Sequence, residues 1–180
     1  MQERRAPLIA NVMPRRDVGV EPLMKRLVAA FADVPKPPDS EIAPHPCLEC
    51  DELRRAFAPY ESLDVPDAVV KEHCDALPLF SAPALRYFLI AYLRCAMRDP
   101  TTDVFQYLLF HLSPTLKQLA DDYHRERVEI FSKSERSALC AYLEWAESAD
   151  DEKGFTDEIA RARQVWCVGP EQPVAAHREG

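Results

Sequence analysis

Apolar residues recur at three- and four-residue spacing along most of the chain, and prolines break the pattern into segments. The strongest segment runs from Ala82 to Arg98. Its Leu85, Phe88, Leu89, Tyr92, Leu93, Ala96 and Met97 cover more than half of a helical circumference. A helix that apolar belongs at the centre of its domain. Ser81 stands where an N-cap is needed, because its hydroxyl can accept an otherwise unpaired amide of the first turn.

The same periodicity predicts a first helix from Glu21-Pro22 to Ala32, with Leu23, Leu27, Val28 and Phe31 on one face. Pro35 to Pro46 reads as an extended loop, since each proline biases the residue before it away from the helical region. A second helix is expected from near Pro46 to before Pro59, with Cys50, Leu53 and Phe57 on its stripe. A third is expected from about Pro66 to Leu77, with Asp64 as cap and Val69, Val70, His73 and Leu77 inside. After the central helix, Thr101 or Thr102 caps Asp103 to Leu112, and Ser113-Pro114 opens a helix to about Arg125. Ser132-Lys133-Ser134-Glu135 is a capping box that opens a helix with Leu139, Tyr142, Leu143 and Ala146 inside. Residues 147–158 read as an acidic loop. Thr156 then caps a last helix bearing Ile159, Ala162 and Trp166.

No segment alternates β-branched residues, so the expected fold is all-α: a single-domain irregular bundle of about six to eight helices. The expected organisation is a flexible arm at 1–19, a helical domain at 20–168 and a tail from 169 to 180. A chain of 180 residues should bury roughly 70% of its unfolded surface, enough for a core without disulfides or metal.

Charge and composition narrow the function classes. The formal net charge of −8 disfavours nucleic acid, and Arg4, Arg5, Arg15 and Arg16 make only a weak basic patch. The longest apolar run, Tyr87 to Leu93, is too short for a membrane span, and Met1 to Val20 lacks the apolar stretch of a secretory signal. A cytoplasmic location is the expectation. Gly19, Gly154, Gly169 and Gly180 cannot form a phosphate loop or dinucleotide fingerprint, and no Gly-x-Ser-x-Gly elbow occurs.

His45-Pro46-Cys47-Leu48-Glu49-Cys50 is the sharpest chemical feature. Cys47 and Cys50 at a helix N-terminus fit a redox pair, although the usual βαβ setting is missing. They equally fit a zinc site with His45 and either His73 or Cys74 as further ligands. The incomplete motif favours a third reading, in which Cys50 simply joins Leu53 and Phe57 in the core. Cys95, Cys140 and Cys167 fall within apolar helical patterns and read as small buried hydrophobes. Asp121 and His124 share a helical face, but half of a di-iron motif reads as a solvated surface. Arg86, Arg94 and Arg98 edge the central helix, either clamping an anion or, as is commoner, pairing with carboxylates on neighbours. Tyr87, Phe88, Tyr92, Phe105, Tyr107 and Phe110 read as core.

Cys47-Leu48-Glu49-Cys50, the stretch Pro78 to Leu89 and Ala91-Tyr92-Leu93 together resemble a family of small bacterial proteins of unknown function. The likeness spans roughly residues 20–147, including the late helix Ser134 to Trp145, and departs from the pattern at Ile90, where proline is expected. It implies a bacterial cytoplasmic helical domain and no assigned activity.

Two functional expectations follow. The first is a non-enzymatic interaction module, for example an immunity or antidote protein that binds a basic toxin domain. The second is a zinc-stabilised or redox-responsive helical module that uses Cys47 and Cys50. A small enzyme with Arg86 and Tyr87 in a pocket is a third, with no constellation that names a reaction.

Overall fold

The computed structural model describes residues 19–150 and 154–168. These form ten α-helices and one short 3-10 turn at Leu77–Leu79, with no strand among the described residues. The helices are α1 (Val20–Phe31), α2 (Asp39–Ile42), α3 (Leu48–Phe57), α4 (Asp67–Glu72), α5 (Ala82–Arg98), α6 (Asp103–Leu112), α7 (Leu116–Leu119), α8 (Asp122–Glu129), α9 (Lys133–Ala149) and α10 (Thr156–Trp166). No helix among the described residues is long and apolar enough to cross a membrane. The all-α expectation holds, with more and shorter helices than the periodicity suggests.

Helix α5 organises the rest. Ser81 Oγ accepts the Ala84 N–H at 3.2 Å, and Pro83 sits in the first turn, where its missing N–H costs nothing. Thirteen of its seventeen residues are buried, and it packs against α1, α2, α4, α6 and α8. Around Phe57 of α3 the rings of Phe80, Phe88 and Tyr92 gather at centroid distances of 5.0, 5.2 and 6.1 Å. This aromatic cluster seats α3 on α5 and so places the start of α3, where the two cysteines lie.

The arginines of α5 pair with carboxylates, and no anion clamp forms. Arg86 reaches Glu135 of α9. Arg94 and Arg98 share Asp67 of α4, and Arg94 also donates to the Leu63 and Val65 carbonyls.

Several boundaries differ from the sequence reading, each for a local reason. Within the expected 35–46 loop, Asp39–Ile42 forms a single helical turn that buries Ile42. Asp64 does not cap α4, whose N-cap is Pro66 with no side-chain acceptor. The expected helix from Pro114 to Arg125 is two helices. Thr115 and Gln118 build a capping box for α7, then Asp121 accepts the Tyr123 N–H at 2.9 Å and restarts the chain as α8. Helix α9 continues through Ala149 into the expected acidic loop, and buried Asp150 accepts the Phe155 N–H at 2.8 Å. Phe155 rather than Thr156 is the N-cap of α10. The arm at 1–18 and the tail from 169 lie outside the described residues.

One cysteine reading is overturned. Cys140 and Cys167 do not sit as separate buried thiols: packing of α10 on α9 brings their Cα atoms to 5.4 Å, and they form a disulfide. Cys95 is a buried free thiol, as expected.

Candidate metal centre at the start of the third helix

The chain enters α3 through Pro44-His45-Pro46, whose prolines keep it out of the helical region, and it bends so that the Cys47 N–H donates to the His45 carbonyl at 3.0 Å. Cys47 is that N-cap, in an extended conformation, and its Sγ accepts the Cys50 N–H at 3.3 Å. The thiol thus takes the place that a serine or aspartate side chain usually fills at a helix start. One turn on, Cys50 begins the buried stripe of α3 and is 0% exposed, whereas Cys47 is half-buried and His45 exposed.

These three side chains converge. One ligand atom from each of His45, Cys47 and Cys50 lies within 4.8 Å of the others. In a tetrahedral zinc site, with Zn–S near 2.3 Å and Zn–N near 2.0–2.1 Å, neighbouring ligands stand about 3.5–3.8 Å apart. The remaining gap is a matter of side-chain torsion, which exposed His45 is free to supply. Two thiols and an imidazole are the donor set that borderline-soft zinc prefers.

The two thiols differ electrically. Cys47 is held below the ordinary thiol range, chiefly by its hydrogen bond with His45 and then by those from Cys50. Burial, reinforced by hydrogen bonding to Cys47, pushes Cys50 up to about 11. A dithiol with one activated and one protected sulfur can ligate metal or exchange with a disulfide.

His73 does not join this group. Its ring packs edge-on against Phe57 at 5.9 Å, and its carbonyl accepts the Tyr92 hydroxyl at 2.8 Å, so it stays with α4 and the core. Cys74 is likewise elsewhere, half-buried on the lining of a different cavity, where burial raises its pKa.

The cysteine pair borders a groove of about 720 Å³ whose other walls include Leu79, Phe80, Tyr123 and Arg127. A second cavity, of about 220 Å³, lies on the far side of Arg127 and is lined by His111, His124 and Trp166 among others. Helix α8 supplies Arg127, which is 5% exposed although its segment Asp-Tyr-His-Arg-Glu-Arg-Val-Glu is mostly polar. Periodicity carries no signal for a buried arginine there. The solvated reading holds for exposed Asp121, the cap of α8, but only in part for His124, which is half-buried with its Nδ1 out of solvent. Tyr107 and Phe110, expected in the core, are both partly exposed and line the second cavity.

Comparison with known proteins finds no matching family model, no matching curated protein and no matching solved structure. The chain is therefore classed by its own geometry, as an all-α protein with a His-Pro-Cys-x-x-Cys cluster opening a short helix.

Proposed function

We propose that this chain is a helical module that takes up a thiophilic divalent cation, zinc foremost, through His45, Cys47 and Cys50. The observation that supports the reading is the convergence of an imidazole and two sulfurs within 4.8 Å at a helix start. Three protein ligands leave the fourth position to water or to a donor from another molecule, as in open zinc sites. The interaction-module reading, with an immunity role against a basic toxin domain, rests on the acidic composition and adds no residue to this site.

The test is metal analysis of the full chain, purified without chelator and then equilibrated with zinc or cobalt. About one equivalent should bind, and cobalt should show thiolate charge-transfer bands. Cys47→Ser, Cys50→Ser and His45→Ala should lose the metal, while His73→Ala should keep it. Metal-free protein with no thiolate band on cobalt addition sinks the reading.

The split between the two thiols favours one alternative, dithiol–disulfide exchange with a small-molecule or protein disulfide. There the Cys47 thiolate attacks a sulfur of the external disulfide, and one thiolate leaves. Cys50 gives up its proton and attacks the mixed disulfide, releasing the second thiolate; two electrons pass to the external disulfide and Cys47–Cys50 is left oxidised. Selective alkylation of Cys47 before Cys50, abolished by bound zinc, separates the two roles of the pair.

A further inference from the structure

The second cavity holds polar groups that the fold does not satisfy. Arg127 NH1 and NH2 donate to the Phe80 and Leu77 carbonyls, the latter at 2.7 Å, and its guanidinium lies 4.7 Å from the Tyr123 ring centroid. Its Nε–H is buried and finds no acceptor among the described residues, and neither of its bonds is to a carboxylate. Desolvation pulls its pKa below the usual arginine value. Exposed Glu126 acts on Arg127 electrostatically but forms no ion pair with it among the described residues. A guanidinium out of water without a bonded counter-charge is costly, and a buried N–H with no acceptor adds to the cost.

The same cavity carries a second orphan. His124 Nδ1 is buried with no hydrogen-bond partner among the described residues. His111 stands on the same lining and is kept neutral: enclosure, then the charge of Arg127 and the His124 imidazole, push its pKa down to about 3. Asp75, the acidic side chain on the lining, is exposed and forms no ion pair among the described residues. Gln118 and Tyr123 also reach the lining, and most of the remaining wall is apolar, with buried Leu85, Leu89 and Trp166. A volume of about 220 Å³ falls below the roughly 300–1,000 Å³ of drug-sized pockets, which limits the occupant to a ring or a short chain.

We propose that this cavity binds a small organic monoanion, a carboxylate on a ring or short aliphatic chain. Its charged end meets Arg127 and His124, and its body packs among Leu85, Leu89 and Trp166. The carboxylate supplies the acceptor that the Arg127 Nε–H lacks and a directly bonded counter-charge, which neither the carbonyls nor exposed Glu126 provides. This site is separate from the metal reading and needs no metal.

The test is titration of the full chain, in the presence of a chelator, with benzoate, hexanoate, benzamide and inorganic phosphate. Benzoate or hexanoate should bind saturably, at least about tenfold tighter than neutral benzamide, because the charge-assisted hydrogen bond is lost in the amide. Phosphate, which has no apolar body, should bind weakly. The imidazole signals of His111 and His124 should shift during the titration, a readout that needs no variant. Arg127 also ties α8 to the 3-10 turn, so Arg127→Gln can fail for lack of folding. His124→Phe keeps an aromatic ring of similar size while removing both ring nitrogens, Nδ1 included, and it should weaken the carboxylate while sparing the fold. The proposal is overturned if the folded chain binds neither carboxylate, if benzamide binds as well as benzoate, or if the two imidazoles stay still while binding saturates.

Discussion

The Glu135 carboxylate, 1% exposed, receives Arg86 Nε–H on both of its oxygens at 3.0 Å. The same carboxylate accepts the Ser132 N–H at 2.6 Å, closing the capping box that starts α9. One side chain therefore both starts a helix and ties it to α5. Removing a partner from a buried ion pair leaves an uncompensated charge, at roughly 3–5 kcal/mol. Glu135→Ala is expected to cost about 3 kcal/mol, the low end of that range, because the Arg86 side chain keeps 25% exposure. Urea denaturation of Glu135→Ala checks the magnitude, and that of Arg86→Met, Glu135→Leu and the double variant Arg86→Met/Glu135→Leu checks the coupling; the double variant should recover much of the loss. Additive losses would show that the pair is not coupled.

Phe88 is 0% exposed and touches the rings of Phe57, Phe80 and Tyr87. Phe88→Ala should therefore cost about 3–5 kcal/mol, the range for removing a large aromatic from a packed core. That is a sizeable share of the ~5–15 kcal/mol that holds a domain together, so thermal unfolding should fall well below that of the parent. A change under about 1 kcal/mol would mean that the cluster repacks around the void.

The Cys140–Cys167 disulfide closes a loop with a sequence separation of 27. On the chain-entropy account a loop of that size stabilises by about 3.5 kcal/mol. The oxidised chain, denatured without reductant, should expose four titratable thiols: Cys47, Cys50, Cys74 and Cys95. Reduction should raise that number to six and lower the unfolding midpoint. Six thiols before reduction would dismiss the bridge.

His111 sets a pH dependence. Its folded pKa of about 3 lies below the ordinary value of 6.5, because enclosure and then Arg127 and His124 disfavour its charged form. Above about pH 6.5 both folded and unfolded forms are neutral, and the group contributes nothing to the slope. As the pH falls from there toward 3, the unfolded chain takes up a proton that the folded chain refuses, and stability is lost. The slope is at most about 1.4 kcal/mol per pH unit, an upper bound for a half-buried residue. Unfolding midpoints measured from about pH 7 to pH 4 should fall faster in the parent than in His111→Gln. Parallel curves would rule out His111 as the source.

Much of the fold follows from signals within a few residues of each helix end. Ser81 with Pro83, and Ser132 with Glu135, place α5 and α9 because caps and first-turn residues act locally. The stripe Cys50, Leu53, Phe57 likewise marks the buried face of α3 before any neighbour is known. The convergence of His45, Cys47 and Cys50 is legible for the same reason, since six consecutive residues contain it. The break between α7 and α8 was readable too, from Thr115, Gln118 and Asp121, although an unbroken helical period masks it.

Only the tertiary structure decided the rest, because the deciding partners are far apart in sequence. His73 faces Phe57 and not the cysteines, and this depends on how α4 packs on α5 and α6. Cys140 meets Cys167 through the packing of α9 and α10, which spacing along the chain does not encode. Arg127 is buried because carbonyls of Leu77 and Phe80, 50 and 47 residues away, take its N–H groups. Hydrophobic periodicity describes a residue against its own helix; the environment of a charged side chain is set by the element that packs on top of it.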